Sequence, residues 1–265
     1  MVNVTLNRST VKKLAKKFLT REQISFIREI YYSVVYPTNL TKLATSYKTD
    51  KWNKHWYAQH YQKHFEPLRK KKLNILEIGI GGYANPNKGG ASLRMWRTYF
   101  PKSTIYGIDI HEKKAHEEKR IRTFQGSQTD VNFLKEVIKE IGQVDIIVDD
   151  GSHINEHVIK SFEILFPMLS KNGIYVIEDT QTSYWKKFGG SRYDLNSNKT
   201  IMEFFKNLCD GLNYAEFSSP DYIPKYFDKH IVSMHFYHNL IFIYKGENNE
   251  GSNMKDERLA KLISD

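Results

Sequence analysis

The sequence predicts an α/β fold, with a mostly parallel seven-stranded sheet that ends in an antiparallel hairpin and a helical appendage in front of it. Three observations carry that expectation. From residue 73 onward, short runs that are apolar throughout alternate with helix-like segments, the pattern of a parallel sheet covered on both faces. Near the C-terminus, Ile231–Phe236 and Leu240–Tyr244 are separated only by Tyr237-His238-Asn239, too short for a crossover and therefore a hairpin. No run approaches the roughly 18 apolar residues that would span a bilayer.

Taken in order, residues 1–45 read as a helical appendage. Thr20 and Gln23 make a capping box ahead of Ile24, Phe26, Ile27, Ile30 and Tyr31, and Pro37 closes the segment. The main domain is expected over residues 46–246. It opens on an aromatic stretch in which Thr49 or Asp50 would cap a helix carrying Trp52, Trp56 and His60 at spacings of four. Strands follow at Leu73–Ile78, Thr104–Ile108, Arg122–Gln125, Val144–Val148 and Gly173–Ile177. Helices are expected between them at Ser92–Tyr99, His111–Lys119, Val131–Ile141 and Glu156–Leu169. Five parallel strands and a terminal hairpin are the layout of a Rossmann-like methyltransferase sheet rather than of a dinucleotide dehydrogenase. Residues 247–265 form a polar tail, with a short helix expected near Lys255–Ile263.

Composition narrows the class. A chain of 265 residues with 40% hydrophobic and 26% charged residues can bury a full core unaided. Cys209 is the only cysteine, so no disulfide framework forms within the chain, and with no signal-peptide h-region in sight a cytoplasmic protein is expected. The net charge of +10 raises the question of nucleic acid, but its lysines lie in short scattered groups without a zinc-finger, zipper or RNA-recognition signature. They read as a solvated surface, and neither a nucleic-acid partner nor a membrane span is expected.

Glu77-Ile78-Gly79-Ile80-Gly81-Gly82 follows the first strand, where glycines let the backbone approach a ligand at the carboxyl ends of the strands. Asn85-Pro86-Asn87-Lys88-Gly89-Gly90 then delays the helix to about Ser92. A nicotinamide cofactor needs that helix end for its pyrophosphate, whereas S-adenosylmethionine does not. Glu77 is placed to reach the methionine ammonium, Asp109 the ribose hydroxyls, and Ser127 and Gln128 the adenine.

The fourth strand runs into Asp149-Asp150-Gly151-Ser152-His153, and the fifth into Glu178-Asp179. Strands ~4.8 Å apart bring those tips to one edge. Asp149 and Asp150 point to opposite faces, one to the cofactor side and one to a metal. Asp150, Glu178 and Asp179 are hard oxygen ligands suited to Mg²⁺ or Mn²⁺. Histidine as a residue type titrates near neutrality, so His153 is the candidate to take a proton from a hydroxyl that a cation polarises. That combination suits methylation of an unactivated alcohol better than of a phenol.

These residues resemble the metal-dependent macrolide-sugar O-methyltransferases, of the type that acts on mycinamicin and demethylmacrocin deoxysugars. The likeness rests on Thr49-Asp50-Lys51-Trp52, Gly89-Gly90-Ala91-Ser92-Leu93-Arg94-Met95-Trp96, Asp149-Asp150-Gly151-Ser152-His153-Ile154-Asn155 and Tyr175-Val176-Ile177-Glu178-Asp179. Tyr184-Trp185, Phe188-Gly189-Gly190 and His235-Phe236-Tyr237-His238-Asn239-Leu240 extend it, so that it runs from about Thr49 to Gly246. It implies a class I methyltransferase fold with S-adenosylmethionine as donor, and places Thr49, Glu77, Gly79, Gly81, Ser92, Asp109, Ser127, Gln128 and Asp149 on the cofactor side. It further implies Mg²⁺ held by Asp150, Glu178 and Asp179, with His153 as general base. The mycinamicin type carries a large N-terminal part where this chain has about 45 residues read as helical, so subunit count, a homo-oligomer included, is left open. The expected acceptor is a sugar hydroxyl of a glycosylated metabolite or glycan precursor. A catechol-like phenol is the nearer alternative and a nicotinamide-dependent oxidoreductase the more distant one. Thr180–Lys199, with Trp185 and Tyr193, is expected to cover the acceptor.

Overall fold

Residues 19–217 and 221–252 are described in the computed structural model. The helical expectation for residues 1–18 and the tail helix near Lys255–Ile263 lie outside them.

Seven strands form one sheet in the order β3-β2-β1-β4-β5-β7-β6. Strands β1 (Asn74–Ile78), β2 (Thr104–Asp109), β3 (Ile121–Gln125), β4 (Val144–Asp149) and β5 (Leu169–Glu178) are parallel. The hairpin of β6 (Ile231–Tyr237) and β7 (Leu240–Lys245) closes the sheet antiparallel, β7 pairing with β5. Register decides where the chemistry falls. Ile78 pairs with Asp149 and Asp149 with Ile177, so the carboxyl ends of β1, β4 and β5 finish level at one rim.

Alternating side chains feed two cores. On one face Ile75, Ile105, Ile146, Val148, Val176 and Phe242 meet α2 (Leu40–Tyr47), α3 (Ala58–Phe65) and α4 (Ala91–Tyr99). On the other, Leu76, Ile78, Ile147, Tyr175 and Ile177 meet α5 (Val131–Ile141), α6 (Asn155–Leu165) and α7 (Ile201–Asp210). The Thr20–Gln23 capping box opens α1 (Arg21–Val35), as the spacing predicts. Pro37 separates it from α2, whose Leu40, Leu43, Ala44 and Tyr47 are buried in the main core. A short helix α8 (Tyr226–His230) leads into β6. Among the described residues no helix is long and apolar enough to cross a membrane.

Three expected elements are corrected. The helix from Thr49 carrying Trp52, Trp56 and His60 does not form. Lys48 takes a left-handed conformation at φ 60°, Asn53 another at φ 74°, and helix resumes only at Ala58. Trp56 is thereby left 66% exposed. His111–Lys119 is reduced to one turn, Lys114–His116, because Lys113 and His116 are drawn onto carbonyls of the glycine loop. The helix expected to Leu169 stops at Leu165, two residues before the helix-incompatible Pro167, and β5 begins at Leu169 rather than Gly173.

Candidate active site

Two pairs of adjacent carboxylates end neighbouring strands, and in each pair the side chains part. Asp149, 1% exposed, turns into the core, where the Tyr175 hydroxyl donates to Oδ2 at 3.2 Å and Gln128 Nε2 to Oδ1 at 3.3 Å. Burial pushes its carboxyl up to about 6. Asp150 stays on the rim, with Oδ1 3.9 Å from His153 Nε2 and Oδ2 2.9 Å from Lys51 Nζ. Glu178, 2% exposed, points inward and receives Lys51 Nζ at 2.6 Å and the Tyr61 hydroxyl at 2.5 Å, both on Oε1. Asp179 returns to the rim, its Oδ1 accepting from the Tyr57 hydroxyl at 2.7 Å and its Oδ2 3.6 Å from His153 Nε2. His153 and Asp179 both hold positive φ, 57° and 55°, a conformation that costs a residue with a side chain and is common at functional sites.

Ligand atoms of Asp150, His153 and Asp179 lie within 4.8 Å of one another, all half-buried. Glu178 stands behind that cluster. Three carboxylates, those of Glu77, Asp150 and Glu178, share one ammonium, Lys51, which is 1% exposed and stands 3.3 Å from Glu77. Burial opposes the Lys51 charge, yet Asp150, Glu178 and Glu77 together push it well above the usual lysine range. The acids carry the cost. Burial, with Asp150 adding, pushes Glu178 well up, and burial lifts Glu77 to about 7 against the pull of Lys51. Burial lifts Asp179 too, but the Tyr57 hydroxyl, His153 and His55 outweigh it and hold it below its ordinary value. An excess of buried negative charge around hard oxygens is what a divalent cation would offset, so these residues fit one.

The glycine loop closes over the same rim. Gly79 has φ 92°, and a Cβ there would stand 2.1 Å from the Asp150 carbonyl oxygen, so only glycine lets the tips of β1 and β4 approach. Gly81, at φ 76°, has no such crowding; the nearest atom to a Cβ is 4.0 Å away. Asp109 receives the backbone N–H of Ile80 at 3.1 Å and of His111 at 2.9 Å, which ties β2 to that loop. Glu77 is fully buried, accepting Trp96 Nε1 at 2.9 Å and the Ser92 hydroxyl. Gln128 Oε1 takes the Ser152 N–H at 2.8 Å, while Ser127 bonds Thr129. Thr49 is buried against Met95.

Of the residues expected from the sequence, Glu77, Asp150, His153, Glu178 and Asp179 come together directly, and Gln128 and Asp149 brace them from the core side. Lys51, Tyr57 and Tyr61 were missed as parts of the site. Their only signal was the Thr49-Asp50-Lys51-Trp52 motif and an aromatic stretch that reads as packing. Beside Asp179 opens a cleft of about 550 Å³, lined by His55, Trp56, Tyr57, Gln181, Trp185 and His238. The Thr180–Lys199 segment begins as two short turns pinned by Asn155 Nδ2, which donates to the Thr182 and Phe188 carbonyls at 3.1 and 2.8 Å, and Tyr193 beyond them is 99% exposed.

A family model described as rhamnosyl O-methyltransferase/CmcI matches residues 87–216. The mycinamicin VI 2''-O-methyltransferase of Micromonospora griseorubida is 45% identical over 215 residues, which are 80% of this chain and 54% of that protein. The 8-demethyl-8-alpha-L-rhamnosyl tetracenomycin-C 2'-O-methyltransferase of Streptomyces olivaceus is 44% identical over 210 residues, 79% of this chain and 55% of that one. The MycE methyltransferase of the mycinamycin biosynthetic pathway, solved with Mg and SAH in its second crystal form, superposes with a TM-score of 0.80. It is 39% identical, and the match covers 93% of this chain and 68% of that one. The chain thus spans about half the length of the curated relatives it matches.

Proposed function

This chain belongs to the rhamnosyl O-methyltransferase/CmcI family, and from that premise we propose that it moves the methyl group of S-adenosylmethionine onto a sugar hydroxyl of a glycosylated metabolite or glycan precursor, with Mg²⁺ or Mn²⁺ required. The observation that carries the reading is the convergence of Asp150, Asp179 and His153 within 4.8 Å at the rim where the glycine loop lies. Asp150 and Asp179, with Glu178 behind them, would hold the cation. When bound, such a cation acidifies a hydroxyl in contact with it. His153 Nε2, 3.9 Å from Asp150 Oδ1 and 3.6 Å from Asp179 Oδ2, takes the hydroxyl proton. Gly79 and Gly81 leave room for the donor beside Asp109, and the Trp56 and Trp185 rings of the cleft offer apolar faces to a sugar. The reading needs neither nucleic acid nor a membrane span, and the lone Cys209 suits a reducing, cytoplasmic setting.

The test is mass spectrometry of acceptors incubated with isotopically labelled donor. A deoxysugar-bearing acceptor should gain one labelled methyl, the gain should vanish with a chelator or in His153→Ala, and catechols should gain none. Absence of transfer to every sugar acceptor, or transfer that survives the chelator, overturns the reading.

A further inference from the structure

The rim carboxylates are acted on by one short piece of chain, residues 51–61, which joins the sheet from 99 to 127 residues away in sequence. On each of Asp150, Glu178 and Asp179 the donors of this piece engage a single oxygen. Lys51 Nζ takes Asp150 Oδ2 at 2.9 Å, leaving Oδ1 toward His153. Tyr57 donates to Asp179 Oδ1 at 2.7 Å and accepts the Asp179 N–H at 3.3 Å, so one hydroxyl fixes both the carboxylate and its left-handed backbone, with Oδ2 toward His153. Lys51 and Tyr61 share Glu178 Oε1, which leaves Oε2.

We propose that Lys51, Tyr57 and Tyr61 are the positioning residues of the cation site, between them holding one oxygen of each of Asp150, Asp179 and Glu178 so that the other is presented to the ion. The inference rests on the cation requirement proposed above. The donors are rigidly placed. Tyr61 is fully buried among Phe65, Trp96 and Phe242, with ring centroids 4.9–5.3 Å away, and Tyr57 is 2% exposed and stacked on His55 at 4.9 Å. Carboxylates turned by fixed outer partners lose little freedom on binding an ion, and removing such partners typically costs about 10- to 100-fold in metal affinity. The opposite possibility is that the Lys51 ammonium merely competes with the ion for Asp150 and Glu178, and the two make opposite predictions.

The experiment is calorimetric titration of the whole chain with Mn²⁺ alone, beside melting temperature and S-adenosylhomocysteine affinity. Tyr61→Phe and Tyr57→Phe keep the rings and remove only the hydroxyls. Each should weaken Mn²⁺ binding on the order of tenfold while the melting temperature and S-adenosylhomocysteine affinity hold. Lys51→Met should weaken it at least as much. Unchanged Mn²⁺ affinity in both tyrosine variants, or tighter binding in Lys51→Met, overturns the inference while leaving the function intact. A wild-type chain that binds no Mn²⁺ overturns both. If Lys51→Met fails to fold, the tyrosine variants decide.

Discussion

Lys51 and Lys113 are both buried lysines, 1% and 2% exposed, and each ammonium has three oxygen neighbours. Lys51 sits among carboxylates, those of Glu77, Asp150 and Glu178. Lys113 sits among neutral carbonyls, donating to those of Tyr83, Asn85 and Lys88 at 2.7, 3.0 and 3.3 Å. The carbonyls belong to the loop between β1 and α4, so Lys113 gives that loop its shape and holds no acid. The partners of Lys51 are acids, and one of them, Asp150, stands on the rim. The same side chain therefore staples backbone in one place and tunes a charge cluster in the other, and what distinguishes the two is the partner.

The comparison breaks most visibly at Lys51. Lys51→Met leaves buried acids uncompensated, a change worth about 3–5 kcal/mol, and methyl transfer should fall with it. The loss should depend on pH. Without the ammonium the folded-state values of Glu77, Asp150 and Glu178 rise further above their ordinary ones. Their contribution is then present at low pH and lost as pH rises through the shifted values, of which Glu77 already stands at about 7. Melting curves should show wild type and Lys51→Met closer together at pH 5 than at pH 8. An equal gap at both pH values would mean that the acids are not what the lysine serves.

Lys113→Met tests the other half. It orphans the Tyr83 and Asn85 carbonyls and leaves no acid uncompensated, while His116 stays on the carbonyl of Lys88, so about 2–3 kcal/mol should be lost, by much the same amount at pH 5 and pH 8. Mn²⁺ affinity should stay within twofold of wild type. A pH-dependent loss here would erase the distinction between the two lysines.

His64 sharpens it from a third place. Its ring nitrogens meet only the hydroxyls of Tyr244 and Tyr237, at 2.7 and 2.9 Å, with Phe242 stacked at 4.0 Å. Neutral partners do not keep this cation. Burial, with His235 and Lys63 adding, pushes the imidazole from 6.5 down to about 4. A lowered folded-state value means that the stability His64 contributes is present above about pH 6.5 and lost as pH falls toward 4. The loss should be on the order of 1–2 kcal/mol, discounted for partial solvation. Because Asp149 and Glu77 titrate nearby with the opposite sign, the measurement is the difference in melting temperature between wild type and His64→Gln across that window. No difference would show the imidazole already free to charge.

The sheet and its rim were legible because a parallel strand announces itself locally: an apolar run ending in acids, as at Ile147-Val148-Asp149-Asp150 and Val176-Ile177-Glu178-Asp179. Level tips then follow from register. Lys51, Tyr57 and Tyr61 were not legible as site residues, since nothing within ten residues of them shows that three acids a hundred residues away will need donors. For the same reason Trp52, Trp56 and His60 mislead. Their spacing is helical, but the turn that delivers Lys51 to Glu178 prevents the helix. Lys113 produced the matching error at His111–Lys119, where a tertiary contact with the glycine loop overrides helix propensity.

The smallest effect is expected three residues from Lys51. Lys54 Nζ lies 3.9 Å from Asp50 Oδ2, with the two side chains 72% and 53% exposed. Water screens such a pair, and holding two mobile side chains together offsets most of the attraction, so Lys54→Ala should change stability by no more than about 0.5 kcal/mol. Mn²⁺ affinity should not move. The variant is informative because it removes a lysine from the same turn without touching the buried ammonium. If it cost as much as Lys51→Met, the turn would be held by surface pairing, and the contrast between a lysine inside the acid cluster and lysines elsewhere would lose its physical basis. If it costs nothing, the turn is held from within, by Lys51 on the acids and by Tyr57 and Tyr61 beside it.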